Sequence, residues 1–229
     1  MKAINFKTFI IKNPFKRNND KIIAKKIRIL RKKMKECKEI KIDIEIIKQD
    51  SKFSTLESYA NLVLKWAKIH NITGAKNLDS IHKEIFDSLL PTAFLKPFEN
   101  CIDIGSGAGF PGVILAIFYP DSFFYLLEPR AKRAAFLQHI SLELKLENIE
   151  VIKDFSYNIN NIKANLITSR AVCNTSLLIK DSLHLLQPNG CYLLFKGENS
   201  INEYKTLNNF DVEIFKHDKR FFIYAKREY

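Results

Sequence analysis

The fold is decided by one stretch of the sequence, IDIGSGAGFPG, which occupies residues Ile102–Gly112. An apolar run leads directly into a glycine-rich turn, and the turn leads into a second apolar run. Glycines let the backbone turn tightly and approach a ligand closely, and Pro111 suits the start of a helix because no N–H is needed there. The stretch therefore predicts a strand, a ligand-binding loop and a helix, an arrangement that holds nucleotide-like cofactors.

Short apolar runs continue to alternate with helical stretches after this loop, which is typical of an α/β fold with a mostly parallel sheet. The predicted strands are Asn100–Ile104, Phe123–Glu128, Ile149–Lys153, Ala164–Ser169 and Cys191–Lys196. The predicted helices between them are Pro111–Tyr119, Ala131–Lys145 and Thr175–Leu186. Two alternating runs near the end of the chain, Phe210–Phe215 and Arg220–Lys226, predict an antiparallel hairpin.

The part of the chain before the sheet divides in two. Residues 1–50 are rich in lysine and contain one proline and no glycine, which predicts a basic, partly helical extension. Apolar residues at three- and four-residue steps predict amphipathic helices over Ser54–Ile69 and Ile81–Leu90. We therefore expect an extension (1–50), a helical segment that packs on the sheet (51–97) and a Rossmann-like domain (98–229).

The charge of the chain is concentrated at its N-terminus. Of the formal net charge of +12, residues 1–50 contribute 16 basic and 6 acidic side chains, and residues 51–229 contribute 21 and 19. A basic arm of this kind is either a solvated extension or a segment that contacts RNA phosphates. The charge by itself does not decide between the two.

Composition excludes several other classes of protein. With 229 residues, 46% of them hydrophobic and 27% charged, the chain is long and apolar enough for a packed core. No apolar run approaches the ~20 residues that span a bilayer, and no signal peptide is recognisable, so we expect a cytoplasmic protein with no membrane contact. The four cysteines and five histidines show no ligand spacing, so no metal is expected.

The glycine loop allows two alignments. Gly107-x-Gly109-x-x-Gly112 fits a dinucleotide fingerprint and predicts an oxidoreductase, whereas Gly105-x-Gly107-x-Gly109 follows the strand directly. Asp103 favours the second alignment, because a carboxylate repels pyrophosphate but attracts the amine and sulfonium of S-adenosylmethionine. Glu128 ends the next strand, 19 residues after Gly109, where it is placed to accept the ribose hydroxyls of either cofactor.

The sequence also resembles a known family, the bacterial small-subunit ribosomal RNA guanine-N7 methyltransferases of the glucose-inhibited-division B type. The resemblance covers roughly residue 33 to the C-terminus and is carried most specifically by Phe110-Pro111-Gly112 and Ser169-Arg170-Ala171. Further matches are Trp66, His70-Asn71-Ile72-Thr73, Asp87-Ser88, Asp103–Gly109, Leu127-Glu128, Lys132-Arg133, Phe136-Leu137, Leu144–Asn148 and Lys196-Gly197.

The resemblance implies a seven-stranded sheet, S-adenosylmethionine as methyl donor, and one guanine of 16S ribosomal RNA as acceptor, within the small subunit or an assembly intermediate. A monomer is expected. The implied cofactor-binding residues are Asp103, Gly105, Gly107, Gly109, Phe110, Glu128, Ser156, Tyr157 and Arg170. Two positions depart from the family: Glu128 replaces an aspartate, and Phe155-Ser156-Tyr157 replaces an Arg-x-Glu motif near the adenine.

Three basic residues are predicted to meet RNA phosphate at the rim of the crevice: Lys132 and Arg133 at the start of a helix and Lys196 at the end of a strand. No catalytic base is predicted, because the N7 lone pair of guanine is unprotonated at neutral pH, and Arg170 is a candidate for positioning. A nicotinamide-dependent oxidoreductase stays open as an alternative. So does a non-catalytic RNA-binding ribosome-assembly factor, which the basic N-terminus and the altered Phe155–Tyr157 segment suggest.

Overall fold

A computed structural model of the chain describes residues 37–227. The first elements are strand β1 (Lys38–Glu39) and helices α1 (Ile44–Gln49), α2 (Phe53–Ala67) and α3 (Leu78–Leu89). The next are β2 (Asn100–Ile104), α4 (Gly112–Phe118), β3 (Phe123–Leu127), α5 (Ala131–Glu143) and β4 (Ile149–Ile152). The last are β5 (Ala164–Arg170), α6 (Thr175–Ser182), β6 (Leu186–Gly197), β7 (Phe210–His217) and β8 (Arg220–Arg227).

All the described strands form one sheet, in the order β1-β7-β8-β6-β5-β2-β3-β4. Strands β2, β3, β4, β5 and β6 are parallel to their neighbours in this group, and β8 is antiparallel to both β6 and β7. The strand order reverses between β2 and β5, so the loops that follow these two strands open a crevice at the carboxyl edge of the sheet. The glycine loop follows β2 and therefore lies in this crevice.

The predicted α/β fold with a terminal hairpin is confirmed, but the sheet has eight strands rather than seven. The additional strand, β1, pairs in parallel with β7 through Lys38 and Glu39. Two charged residues at a sheet edge carry no apolar alternation, which is why the sequence pattern did not predict this strand. Of the basic extension predicted over residues 1–50, residues 37–50 are described and contain β1 and α1, and the prediction for residues 1–36 lies outside the described residues.

Helices α2 and α3 contribute to the same buried apolar cluster as the sheet. Leu56, Tyr59 and Val63 of α2 and Ile81 of α3 are in this cluster together with Val113 of α4. Helix α2 ends at Ala67, so Ile69, which the apolar spacing had assigned to the buried face, is 72% exposed. Because α2 and α4 share this buried cluster, α2 packs beside the helix that follows the glycine loop.

A capping box stabilises the start of α3, where Asn77 accepts from the backbone N–H of Ser80 and the Ser80 hydroxyl accepts from that of Asn77. The helix ends before a 3₁₀ turn over Leu90–Ala93, which contains Pro91. Helix α3 carries Glu84 and Asp87, which lie beside the crevice. Among the described residues, none of the helices has the length and apolarity needed to cross a membrane.

Candidate functional site

Three glycines shape the loop between β2 and α4. Gly105, Gly107 and Gly109 have φ values of +69°, +60° and +98°, a left-handed conformation that other residues rarely adopt. The backbone N–H groups of Gly105 and Ser106 donate to the carbonyl of Leu127, at 2.8 and 3.2 Å, and so tie the loop to the end of β3. A Cβ at Gly105 would lie 2.5 Å from the side chain of Val172, which faces the loop from the end of β5.

A cavity of about 760 Å³ opens above this loop. It is lined on one side by residues that follow β3 and β4, and on the other by residues that follow β5. Of the predicted cofactor-binding residues, seven line it: Gly105, Gly107, Phe110, Glu128, Ser156, Tyr157 and Arg170. The tertiary structure thus brings segments more than sixty residues apart to one cavity of a size that suits a small-molecule cofactor.

Asp103 and Gly109 do not line this cavity, in contrast to the prediction. The Asp103 side chain is 1% exposed and lies beneath the loop, where its Oδ2 accepts from the N–H of Gly112 at 3.2 Å. Burial, with a further contribution from Glu128, raises the pKa of Asp103 to about 7. Gly109 faces Val113 and Tyr59 rather than the cavity. Side chains at a strand end alternate between the two faces, and Asp103 points to the helix side.

Glu128 joins the glycine loop to the start of α5. Its side chain is buried, and its two oxygens accept from the backbone N–H groups of Gly107 and Arg130, each at 2.9 Å. A carboxylate held by two backbone donors is fixed in position at the cavity wall. The second lone pair of each oxygen is left for a ligand hydroxyl, which suits the predicted contact with a ribose.

An aromatic pair stands beside Glu128 on the cavity wall. The rings of Phe155 and Tyr157 stack in parallel, with centroids 5.2 Å apart and planes at 11°, and they are 49% and 53% exposed. Ser156 between them is buried. Half-exposed aromatic rings at a cavity offer a flat apolar surface to another ring, so this segment is suited to hold an adenine by stacking.

Arg170 ends β5 on the opposite side of the cavity. Its guanidinium pairs with Glu84 and with Asp87, the latter at 3.2 Å from Nη1, and lies 5.4 Å from the ring centre of Phe110. Burial lowers the pKa of Arg170 to about 10, which still leaves the side chain charged at neutral pH. The predicted side chain is therefore at the cavity, but it is held there by two carboxylates of α3.

The three predicted RNA-binding residues have different surroundings in the structure. Lys132 is exposed and Arg133 is half-buried, and both lie in the first turn of α5 near the cavity rim. Lys196 instead forms an ion pair with Glu203 at 2.8 Å, and its side chain is only 11% exposed. Glu203 also accepts from the N–H and hydroxyl of Thr175, so Lys196 belongs to a local network at the start of α6.

Tyr59 of α2 contacts the glycine loop, which the sequence pattern did not predict. Its hydroxyl donates to the carbonyl of Ala108 at 2.6 Å, and its ring packs edge-on against Phe110 at 5.5 Å. Burial raises the pKa of Tyr59 well above the usual value, so the hydroxyl stays protonated as a donor. The helical periodicity placed Tyr59 on a buried face, but it gave no sign of the contact with the loop.

Comparisons with known proteins agree with this geometry. Residues 52–226 match the family described as rRNA small subunit methyltransferase G. A protein of that name from Helicobacter pylori is 45% identical over 176 residues, which cover 76% of this chain and 96% of the relative. A protein of the same name from Aliarcobacter butzleri is 40% identical and is matched over 71% of this chain and 88% of the relative.

Solved structures show the fold. The chain is similar to a putative S-adenosylmethionine-dependent methyltransferase from Methanococcus maripaludis, with a TM-score of 0.54, 20% identity and coverage of 68% of this chain and 93% of that one. It is also similar to a ribosomal protein methylase from Lactobacillus delbrueckii, with a TM-score of 0.54, 14% identity and coverage of 65% and 80%. The sheet and its crevice are therefore those of a methyltransferase fold.

Proposed function

The chain belongs to the rRNA small subunit methyltransferase G family, and from this premise we propose that it methylates N7 of one guanine of 16S ribosomal RNA. Membership makes it an S-adenosylmethionine-dependent rRNA methyltransferase. The guanine and its N7 atom are the finer part of the proposal. They rest on the resemblance carried by Phe110–Gly112 and Ser169–Ala171.

The residues at the cavity fit S-adenosylmethionine. The glycine loop leaves room for close approach to the backbone at Gly107, where a Cβ would meet nothing nearer than the carbonyl oxygen of Gly105 at 3.8 Å. We propose that Glu128 accepts the ribose hydroxyls and that the Phe155–Tyr157 segment holds the adenine. Phe110 and the glycine backbone complete the binding surface. Asp103 acts from below the loop, through Gly112, and does not contact the cofactor.

The chemistry requires positioning and no proton transfer from the base. When bound, S-adenosylmethionine supplies a methyl group on a positively charged sulfur. N7 of guanine carries a free lone pair at neutral pH, so no side chain has to act as a general base. Holding two reactants in line supplies up to about 7 to 11 kcal/mol of a barrier. The residues of the cavity wall therefore act by binding and orienting.

The substrate is proposed to be the small subunit or an assembly intermediate, and the protein is proposed to act as a cytoplasmic monomer. Basic side chains at the rim, Arg130, Lys132 and Arg133, are suited to RNA phosphates. A nicotinamide-dependent oxidoreductase and a non-catalytic assembly factor are not favoured by the family match. Sedimentation of the purified protein, alone and with small subunits, tests the monomer and the substrate.

The observation that carries the proposal is the convergence of the glycine loop, Glu128 and Arg170 on one cavity in a chain of this family. The test is incubation of the protein with methyl-labelled S-adenosylmethionine and small subunits from a strain that lacks the endogenous enzyme. Nucleoside mass spectrometry is expected to show labelled 7-methylguanosine. A labelled nucleoside of another kind would contradict the N7 assignment, and no label despite cofactor binding would contradict the acceptor.

A further inference from the structure

Four charged side chains form an alternating row at one wall of the cavity. Glu84 pairs with Arg170, Arg170 with Asp87, and Asp87 with Arg220, whose Nε donates to the Asp87 carboxylate at 2.9 Å. The row joins α3, the end of β5 and the start of β8. The side chains of Arg170 and Asp87 are 13% and 14% exposed. This row is therefore a built feature of the cavity wall rather than a chance surface contact.

The row separates two cavities. Arg170 lines the cavity above the glycine loop, whereas Glu84, Asp87 and Arg220 line a neighbouring groove of about 850 Å³ between α3 and the β7–β8 hairpin. Two carboxylates and two guanidinium groups sum to no net charge. Arg170 consequently brings little positive potential to the cavity that it lines, and the N–H groups that these two ion pairs do not use are available as donors. This distinguishes it from the exposed Arg130, which suits a phosphate.

The absence of net charge on this row of side chains suits the methyl transfer proposed for the cavity. A lone guanidinium would repel a positively charged sulfur, and it would also repel the guanine ring, which gains a positive charge when N7 is methylated. Glu84 and Asp87 remove this penalty. They also fix Arg170 over the ring of Phe110, so that the remaining N–H donors have a defined direction. An arginine whose charge is balanced in this way is suited to donate a hydrogen bond to an acceptor atom of a bound base.

The flank of the cavity that carries Arg170 has a surface for a second ring. In the sheet, β2 lies between β3 and β5, so Glu128 and Arg170 stand on opposite sides of the glycine loop. The side of Glu128 is the proposed adenosine side. On the side of Arg170, the apolar side chains of Val172 and Leu177 line the cavity and are 45% and 44% exposed. An apolar surface beside a balanced donor fits a planar base with a carbonyl.

We propose that Arg170, positioned by Glu84 and Asp87, donates to O6 of the target guanine and thereby selects guanine over adenine. This inference rests on the proposed function. O6 is the acceptor next to N7 on the same edge of guanine, and adenine presents an amino donor at that place. With N7 engaged by the methyl group, O6 is the acceptor left for a side chain on that edge. Asp87 and Glu84 are positioning residues in this arrangement.

The test couples one side chain to one atom of the substrate. Small subunits are assembled with 16S rRNA in which the target guanine is replaced by 2-aminopurine, which keeps N7 but lacks O6. Initial rates at saturating S-adenosylmethionine give the preference of each protein for guanine over 2-aminopurine. Replacing Arg170→Met is expected to reduce this preference by about 10- to 100-fold, the discrimination that one charge-assisted hydrogen bond provides.

Matched variants keep the result decisive. Arg133→Met removes another cation that lines the cavity and is expected to keep the wild-type preference. The double variant Glu84→Gln/Arg170→Met removes an unpaired carboxylate in case the single variant unfolds, and it is expected to lose the preference as well. Asp87→Asn retains Arg170 but not its orientation, so it is expected to lower the preference partly, with Asp87→Glu restoring it.

The outcomes separate this inference from the proposed function. Labelled 7-methylguanosine from the wild-type protein, together with an unchanged preference in both proteins that lack Arg170, overturns the inference alone. Absence of 7-methylguanosine from wild-type reactions overturns the proposed function and this inference with it. Calorimetric titration of S-adenosylmethionine into each variant is the second readout, and it shows whether a reduced rate reflects weaker binding of the cofactor.

Discussion

The hydroxyl of Tyr59 in α2 donates a 2.6 Å hydrogen bond to the carbonyl of Ala108, in the middle of the glycine loop. The two residues are 49 positions apart, and the tyrosine side chain is fully buried. Helix α2 precedes the parallel strands β2 to β6 in the chain, yet it is hydrogen-bonded to the glycine loop that lines the cavity. The shape of the loop is therefore determined partly by a helix outside the parallel sheet.

Replacing Tyr59→Phe is expected to lower the free energy of unfolding by about 1 to 3 kcal/mol, because a buried carbonyl loses its donor. We also expect the dissociation constant for S-adenosylmethionine to rise, since the loop is held less firmly. Chemical denaturation and calorimetric titration measure the two effects. Tyr125→Phe removes a hydroxyl from a half-buried ring on β3 and is the control. Equal stability and affinity in both variants would show that the Tyr59 hydroxyl has no influence on the loop.

Gly112→Ala is expected to destabilise the protein by about 1 to 3 kcal/mol through overpacking. A Cβ there would lie 2.5 Å from Oδ2 of Asp103 and 2.6 Å from the side chain of Leu126. Gly74→Ala is the matched control, because nothing lies within 4 Å of a Cβ at Gly74. Thermal unfolding of both variants checks the prediction. A destabilisation at Gly112 no larger than at Gly74 would mean that the neighbours of Gly112 yield easily.

The buried carboxyl of Asp103 predicts a pH-dependent stability. Its pKa is raised from 3.8 to about 7 in the folded protein, because burial disfavours the charged form. The folded state therefore binds the proton more tightly than the unfolded state, and this contribution to stability is complete below pH ~4 and is lost as the pH rises through 7. Replacing Asp103→Asn, which cannot ionise, is expected to remove this dependence.

Unfolding by denaturant from pH 5 to pH 8 measures the effect as the difference between wild type and Asp103→Asn, because the other groups titrate in both proteins. The wild-type protein is expected to lose stability relative to the variant across this range. A difference that stays constant with pH would show that Asp103 is ionised throughout.

The stacked pair Phe155 and Tyr157 is expected to contribute to cofactor affinity. Tyr157→Ala removes a half-exposed ring at the cavity, and stacking of an aromatic ring contributes about 0.5 to 1.5 kcal/mol beyond its buried area. The dissociation constant for S-adenosylmethionine is therefore expected to rise roughly 3- to 10-fold, and Tyr157→Phe is expected to bind normally. Leu142→Ala, at a 78% exposed residue of α5, controls for the loss of surface. An unaltered affinity of Tyr157→Ala for S-adenosylmethionine would show that the Tyr157 ring does not contribute to binding the adenine.

Lys132 and Arg133 are expected to provide salt-dependent binding of RNA. Replacing both by alanine should weaken binding to small subunits and reduce the slope of log K against log salt by about one for each phosphate that is no longer neutralised. Filter binding over a range of salt concentrations gives this slope. The double variant Lys96→Ala/Lys226→Ala removes two exposed cations that line a groove at the opposite edge of the sheet. A slope that changes equally in both double variants would point to a general effect of charge.

Much of this protein follows from local sequence. The run Ile102–Gly112 predicted the strand, loop and helix because glycine and proline have distinct backbone preferences that act within a few residues. The same holds for Glu128 at the end of a strand and for the hairpin of β7 and β8, which alternation along the chain specifies. The cofactor was predicted from the family resemblance and from the charge of Asp103; the resemblance is confirmed, but Asp103 lies beneath the loop and does not line the cavity.

Only the tertiary structure decided which side chains act together. In the tertiary structure Asp103 lies beneath the loop and Lys196 forms an ion pair with Glu203. Arg170 pairs with Asp87, 83 residues earlier in the chain. The Tyr59 hydroxyl likewise donates to the carbonyl of Ala108. Such contacts depend on how helices pack across the sheet and on which face a side chain takes at the end of a strand. Local preferences of the backbone determine where helices and strands form. The hydrogen-bond partners of a buried polar group are determined by the packing of helices and strands that are distant in the chain, because only packing brings the two groups within hydrogen-bonding distance.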